Sequence, residues 1–322
     1  MKLKEILREE IFAPDRFFNN CHASTVLKHG NRLLCAWFAG TKEGNDDVEI
    51  YLSVNDGDGW SEPKRMTVTD VPCWNPVLFE HNGEITLFYK IGRKIPQWRT
   101  YCMSSADGGE TWSKPQELVV GDVSGGRGPV KNKPILLSDG RIAAPASVET
   151  EKTWDAFVDI STDSGRTWEK SSFMPFDHSS ANGTGVIQPT LWQTDDGIHA
   201  LLRSSEGCIM HSFSSDGSNW TVCEKTELPN NNSGIDCVKI GDSVVVVFNP
   251  IAESWGDRNI ISYTLCDENA RNFSEPVLIE ADSDTEAEFS YPAAITDGKY
   301  VYITYTHNRK SIEFVKLEII SD

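Results

Sequence analysis

Six times along the chain a short apolar run, a Gly- or Asp-Gly-containing turn and a second apolar run follow one another. The paired runs lie at 22–27 and 35–38, 75–79 and 87–89, 133–137 and 142–145, 188–192 and 200–202, 236–238 and 244–248, and 291–295 and 301–305. Each pair reads as a β-hairpin. No stretch repeats its apolar positions with helical period. A second signal runs in phase with the first: Trp60, Trp112, Trp168, Trp220 and Phe273 fall 52, 56, 52 and 53 residues apart. Each closes a polar turn, clearest as Ser105, Asp107, Gly109, Thr111 and Trp112, again as Ser161, Asp163, Gly165, Thr167 and Trp168, and one residue shorter as Ser214, Asp216, Asn219 and Trp220. Ser and Asp side chains fold such turns by bonding to nearby backbone, and the closing aromatic packs between strands.

A strand-and-turn repeat of this length, in six copies, predicts an all-β chain forming a six-bladed β-propeller, one domain over 1–322. The last hairpin lacks a closing turn and is followed by one more strand, 312–320. The segment around 4–12 is therefore expected to supply the fourth strand of the last blade and close the ring without an open edge. The alternative for 1–12 is a short amphipathic helix packed on the outside.

Composition narrows the partners. The formal charge is −18, which argues against nucleic acid, and no apolar run is long enough to span a membrane. The first ten residues lack the apolar stretch of a signal peptide, so a cytoplasmic location is expected. Eight cysteines show no metal-ligand spacing and read as free thiols, several within strands. No cofactor or metal is expected; the acidic run Asp282, Asp284, Glu286, Glu288 reads as a solvated loop in preference to a calcium site.

Propeller geometry converts the repeat into a map. The first strand of each hairpin is innermost, so its opening residue faces the central funnel. These openings are His22, Asn75, Lys133 with Lys131 just before it, Gln188, Asp236 and Tyr291. They either form a binding site or hydrogen-bond one another to plug the channel. Loops after the second strands add Asp46 and Asp47, Arg93, Trp98 and Arg99, Glu149 and Trp154, Arg203, Trp255 and Arg258, and His307 and Arg309. Eight cations (Lys90, Arg93, Arg99, Lys131, Lys133, Arg203, Arg258, Arg309) would gather on one face of an acidic protein, favouring an anionic ligand. Arg recognises a carboxylate with paired hydrogen bonds, and Trp98, Trp154 and Trp255 would stack on sugar rings.

The closing turns resemble the S-x-D-x-G-x-T-W Asp box of the sialidase-like superfamily, over nearly the whole chain. The pattern of His22-Ala-Ser-Thr, Trp74-Asn-Pro, Gln188-Pro-Thr and Ser290-Tyr-Pro is similar to its predicted-neuraminidase, or BNR-repeat, branch. The resemblance implies a carbohydrate-active propeller in which Tyr291 matches the nucleophile, Arg258 one of three carboxylate-binding arginines, and Asp46 or Asp47 the acid. It also implies losses. His22 stands where the first arginine belongs, Gln188 replaces the glutamate that activates the tyrosine, and Arg203 is the only substitute for the remaining arginine. The funnel histidine is similar to that of propeller enzymes acting on rhamnose-glucuronate glycans.

Three activities are consistent with these residues. An exo-glycosidase would use Tyr291 and Asp46 or Asp47 on a terminal acidic sugar held by Arg258, Lys133 and Arg203. A lyase would use His22 and Tyr291 for β-elimination on a uronate. A non-catalytic module would bind a glycan, with Asn75, Gln188, Asp236, Lys131, His307 and Arg309 as further contacts.

Overall fold

The computed structural model describes residues 1–320; Ser321 and Asp322, the last positions of the expected domain, lie outside the described residues. Six four-stranded antiparallel sheets follow one another around a ring. Blade 1 contains Asn20–His29, Arg32–Gly40, Glu49–Asn55 and Lys64–Arg65. Blade 2 contains Cys73–His81, Glu84–Ile91, Arg99–Ser105 and Gln116–Glu117. Blade 3 has a very short inner strand, Ile135–Leu136, beside Ile142–Glu149, Trp154–Ser161 and Glu169–Lys170. Blades 4 and 5 open with Val186–Gln193 and Asp236–Ile240.

Blade 6 runs Phe289–Thr296, Tyr300–His307 and Ser311–Ile320, and its outer strand is the N-terminal segment Lys2–Glu10. That strand pairs antiparallel with the last one from Lys2 opposite Ile320 to Glu10 opposite Glu313. The expected strand closure is thus the arrangement observed, and the helical alternative is excluded. Pairing alone does not hold the seam. Ile11 and Phe12 continue inward and are buried, with the Phe12 ring stacked on Trp37 at 4.9 Å.

A continuous apolar run buries both faces of a middle strand, as in Ser243–Phe248, where all four valines and the phenylalanine are fully covered. The closing turns are built by one carboxylate each. Asp107 accepts from the Ser105 hydroxyl, the Thr111 amide and the Thr111 hydroxyl, while the Trp112 indole donates to the Gly109 carbonyl at 2.9 Å. Asp163 and Asp216 repeat the arrangement. The Thr111 hydroxyl and amide hold Asp107 well below the usual carboxylate range, as hydrogen bonding to an ionised acid does. These turns are structural. All eight cysteines are free thiols, six of them buried.

Candidate functional site

The innermost strands are where the fold departs from regular geometry. In blades 1, 2, 4 and 6 the register slips between His22 and Thr25, Trp74 and Val77, Ile187 and Thr190, and Ser290 and Ala293. At each slip one residue has positive φ: Ala23, Asn75, Gln188 and Tyr291, the last three at 43, 51 and 53° and each directly before a proline. A bulge tolerates proline because the displaced residue makes no ladder bond. Non-glycine residues held there are strained and persist because their surroundings fix them. The bulge turns Asn75, Gln188 and Tyr291 toward the axis.

With His22 they line one pocket of ≈ 390 Å³ whose wall also includes Phe38, Glu43, Trp74, Arg93, Trp98, Glu149, Trp154, Arg203, Trp255, Arg258 and Arg309. A larger groove of ≈ 570 Å³ opens between blades 2 and 3 beside Trp168. It is a gap between diverging outer strands, and its wall takes in one of the structural turns, so the axial pocket is the candidate site.

Tyr291 is the centre of the pocket. The Arg203 guanidinium donates to its phenol oxygen at 2.6 Å and to Gln188 Oε1 at 3.2 Å, and is anchored by Asn232 Oδ1 at 2.8 Å. Arg203 is buried, and these three partners are neutral. Arg203 and Arg258 flank the Tyr291 ring, their guanidinium carbons 5.7 and 5.6 Å from its centroid. The His22 ring lies 4.2 Å from that of Tyr291, centroid to centroid. Gly234 lets the Tyr291 ring approach: a Cβ there would sit 3.2 Å from Tyr291 Cγ.

Burial, then the nearby Arg309, pushes His22 well below the ordinary imidazole range, so the ring is neutral at neutral pH. Its Nδ1 has no hydrogen-bond partner and lies 3.9 Å from Glu288. Glu288 is held in its ionised state by Arg309 and Arg258, which outweigh its own burial. It bonds Arg258 at 2.9 Å and Arg309 at 2.6 Å. Arg309 also pairs with Glu43. Glu149, at the end of its strand beside Trp154, behaves oppositely: burial raises its pKa against the pull of Arg203 and Lys90.

Ten of the residues expected in the site meet here: His22, Asn75, Gln188, Tyr291, Arg203, Arg258, Arg309, Trp98, Trp154 and Trp255. The other six do not line the pocket. Asp47 caps its own loop through the Thr41 amide and hydroxyl, both at 3.0 Å, and Asp46 pairs with Arg93 at 2.8 Å, both exposed. Lys133 pairs with the buried Asp236 at 3.0 Å. Lys131 donates to Ile235 O and Pro292 O. These three plug the axial channel, because blade 3 places Lys131 and not Lys133 at positive φ and swings both ammonium groups toward blades 5 and 6. His307 stacks on Phe289 at 5.2 Å and faces Glu280, away from the axis. Of the eight cations expected on one face, Arg93, Arg203, Arg258 and Arg309 line the pocket. Lys90 is buried against Thr100 and two carbonyls, and Arg99 pairs with Glu117 at 2.5 Å. Spacing places Glu149 among the rim loops without assigning it a role, and Glu288 only within a solvated acidic run; both are functional candidates in the structure. Glu149 follows an inner hairpin and Glu288 precedes Tyr291 by three positions, which is the signal each carried.

Residues 31–303 match the family model described as BNR repeat-like domain. No curated protein matches the chain in sequence. Among solved structures, a protein of unknown function from Dyadobacter fermentans superposes with a TM-score of 0.76 at 16% identity, covering 99% of both chains. A Hadza microbial sialidase superposes with a TM-score of 0.80 at 14% identity, over 97% of this chain and 68% of that one. Trypanosoma rangeli sialidase in complex with sialic acid gives 0.71 at 14% identity, over 95% of this chain and 55% of that one. At these identities the likeness is one of fold.

Proposed function

This chain belongs to the BNR repeat-like family, within the sialidase-like superfamily, and on that premise we propose that it is an exo-acting glycoside hydrolase removing a terminal acidic sugar from a glycan. The observation that carries the reading is the Arg203 to Tyr291 hydrogen bond of 2.6 Å inside a pocket that also holds a carboxyl of raised pKa. A buried cation with neutral partners stabilises negative charge on the phenol oxygen as it forms, which is the requirement for a tyrosine acting at an anomeric carbon. Glu149 is proposed as the general acid in place of Asp46 and Asp47. A carboxyl whose pKa is raised by burial is suited to donate its proton to the leaving oxygen as the glycosidic bond breaks, and its conjugate base can then activate water.

Arg258 and Arg203, on either side of Tyr291, are the proposed carboxylate clamp. Only one nitrogen of Arg258 bonds Glu288, which leaves its other face for substrate. Trp255, exposed at the rim, and Trp154, in edge contact with it at 6.1 Å, offer a sugar-stacking corner.

One observation favours a second reading. A neutral His22 with an unpartnered Nδ1 beside Tyr291 is suited to remove a proton next to a uronate carboxylate, which is lyase chemistry. The test is incubation of the protein with a fluorogenic sialoside and with rhamnose- and uronate-containing oligosaccharides, following product mass and the absorbance of an unsaturated uronate. Products carrying the mass of added water support the hydrolase. New absorbance without water addition makes it a lyase, and turnover of none leaves a glycan-binding module.

A further inference from the structure

Away from the axial pocket, at the seam where the ring closes, three carboxylates and an imidazole converge. Glu10 ends the N-terminal strand and Glu313 lies directly opposite it on the last strand. Tyr305 is the next partner of Glu313 across the sheet, and His307 stands two residues beyond it. One ligand atom from each of Glu10, His307 and Glu313 falls within 4.8 Å of the other two. Glu280, from the outer strand of blade 5, places Oε1 3.3 Å from His307 Nε2. Its second oxygen is taken by Tyr305 and by Arg8 at 3.3 Å.

Glu313 supplies the independent observation. It is 7% exposed, and among the described residues its carboxylate has neither a hydrogen bond nor an ion pair. A buried carboxylate without a partner is costly unless a cation meets it.

We propose that Glu10, His307 and Glu313, with Glu280 beside them, form a site for a divalent transition-metal ion of the zinc type that pins the N-terminal strand to the last strand. One imidazole with carboxylates suits zinc better than calcium, which takes oxygen ligands alone. Zinc holds such ligands at about 2.0–2.2 Å, so their donor atoms must draw about 1 Å closer, within reach of side-chain rotation. Glu10 is exposed and gives the ion its path. Because Glu10 and Glu313 sit on the two strands whose pairing closes the ring, binding would resist opening of the seam.

The experiment uses the full chain, stripped with chelator and titrated with Zn²⁺ and separately with Ca²⁺, reading bound metal by elemental analysis and Tm by calorimetry. One equivalent of Zn²⁺ is expected, with a Tm rise of about 3–5 °C at saturating metal. Glu313→Gln and Glu10→Gln should each weaken binding at least tenfold and remove the metal-dependent part of the rise. Glu10 is exposed, so its variant keeps the test valid if Glu313→Gln folds poorly. No Zn²⁺ uptake by the wild-type chain, uptake unchanged in Glu10→Gln, or Ca²⁺ taken up in preference would overturn the proposal.

Discussion

Replacing Asp236 with alanine should destabilise the ring and leave the pocket of the folded protein intact. Asp236 is 2% exposed and opens the inner strand of blade 5. Its carboxylate accepts from Lys133 of blade 3 at 3.0 Å, Thr190 of blade 4 at 2.7 Å, its neighbour's amide at 2.9 Å and the Ala294 amide of blade 6 at 2.8 Å. One side chain therefore ties four blades at the axis. Burial alone would raise its pKa, but Lys133, Lys131, the Ala294 amide and Thr190 outweigh burial and hold it below the usual range. Removing one partner of a buried pair costs about 3–5 kcal/mol, and Asp236→Ala belongs at the upper end because it also strands buried donors. Asp236→Asn keeps acceptors but leaves Lys133 unpaired, so about half that loss is expected. The sign with pH follows from the depressed folded value. The contribution is complete above the unfolded Asp pKa of about 3.9 and is lost as pH falls through the folded one. Urea unfolding should show the midpoint falling by about 1–2 M, while ligand affinity, measured well below the transition, stays unchanged. A stable Asp236→Ala protein that has lost ligand would refute the assignment of this residue to the plug.

Tyr291→Phe should lower kcat by about a thousandfold or more, and Arg203→Lys by about 10²–10³, since an ammonium cannot bond Tyr291, Gln188 and Asn232 in one plane; stopped assays on the identified substrate check both. Glu149→Gln should cost about 10²–10⁴ in kcat. In the wild type, activity should fall as pH rises through the raised Glu149 pKa, and that alkaline limb should vanish from the pH profile of the variant. His22, depressed by burial, contributes stability that is present above the unfolded His pKa of about 6.5 and lost as pH falls; His22→Gln should flatten the Tm profile below that pH. Trp255→Ala, at a side chain 67% exposed, should weaken glycan binding about fivefold in titration calorimetry with no change in Tm.

Blade number and hairpin positions were legible because each rests on a local signal repeated six times, and an error in one copy is corrected by the others; ring closure was legible from the one blade that lacks a closing turn. The inner-strand openings were legible as positions, but their roles were not. Asn75, Gln188 and Tyr291 reach the pocket because each precedes a proline at a bulge. Lys133 also precedes a proline, yet in blade 3 the positive φ falls two residues earlier, at Lys131, and the difference sends both lysines into the plug. Spacing cannot reveal such a slip, since the backbone's choice depends on what Asp236 and Pro292 offer from other blades. The place of Asp46 and Asp47 relative to the pocket was hidden for a similar reason. Asp46 and Asp47 occupy the expected loop, but Thr41 and Arg93 satisfy them locally, whereas desolvation at the partly buried end of its strand raises the Glu149 pKa.

The replacement of a glutamate by Gln188 has a consequence for the whole site. A carboxylate at this position, 3.2 Å from Arg203, would form an ion pair and neutralise the guanidinium that now bonds Tyr291. The amide oxygen accepts the same hydrogen bond without that charge. Arg203 thus retains its full positive field at the phenol oxygen, in a buried setting where Coulomb energies are several times larger than in water. Two physical routes lead to a reactive tyrosine: a base that takes its proton, or a cation that stabilises the oxygen once the proton has gone. A chain lacking the base can follow the second only if its cation is uncompensated, and the neutral triad of Asn232, Gln188 and Tyr291 around Arg203 meets that condition. The single substitution Gln188→Glu, with Tyr291 intact, is therefore expected to lower turnover, although it adds the base. A rise in turnover would mean that proton removal, and not charge stabilisation by Arg203, limits the reaction.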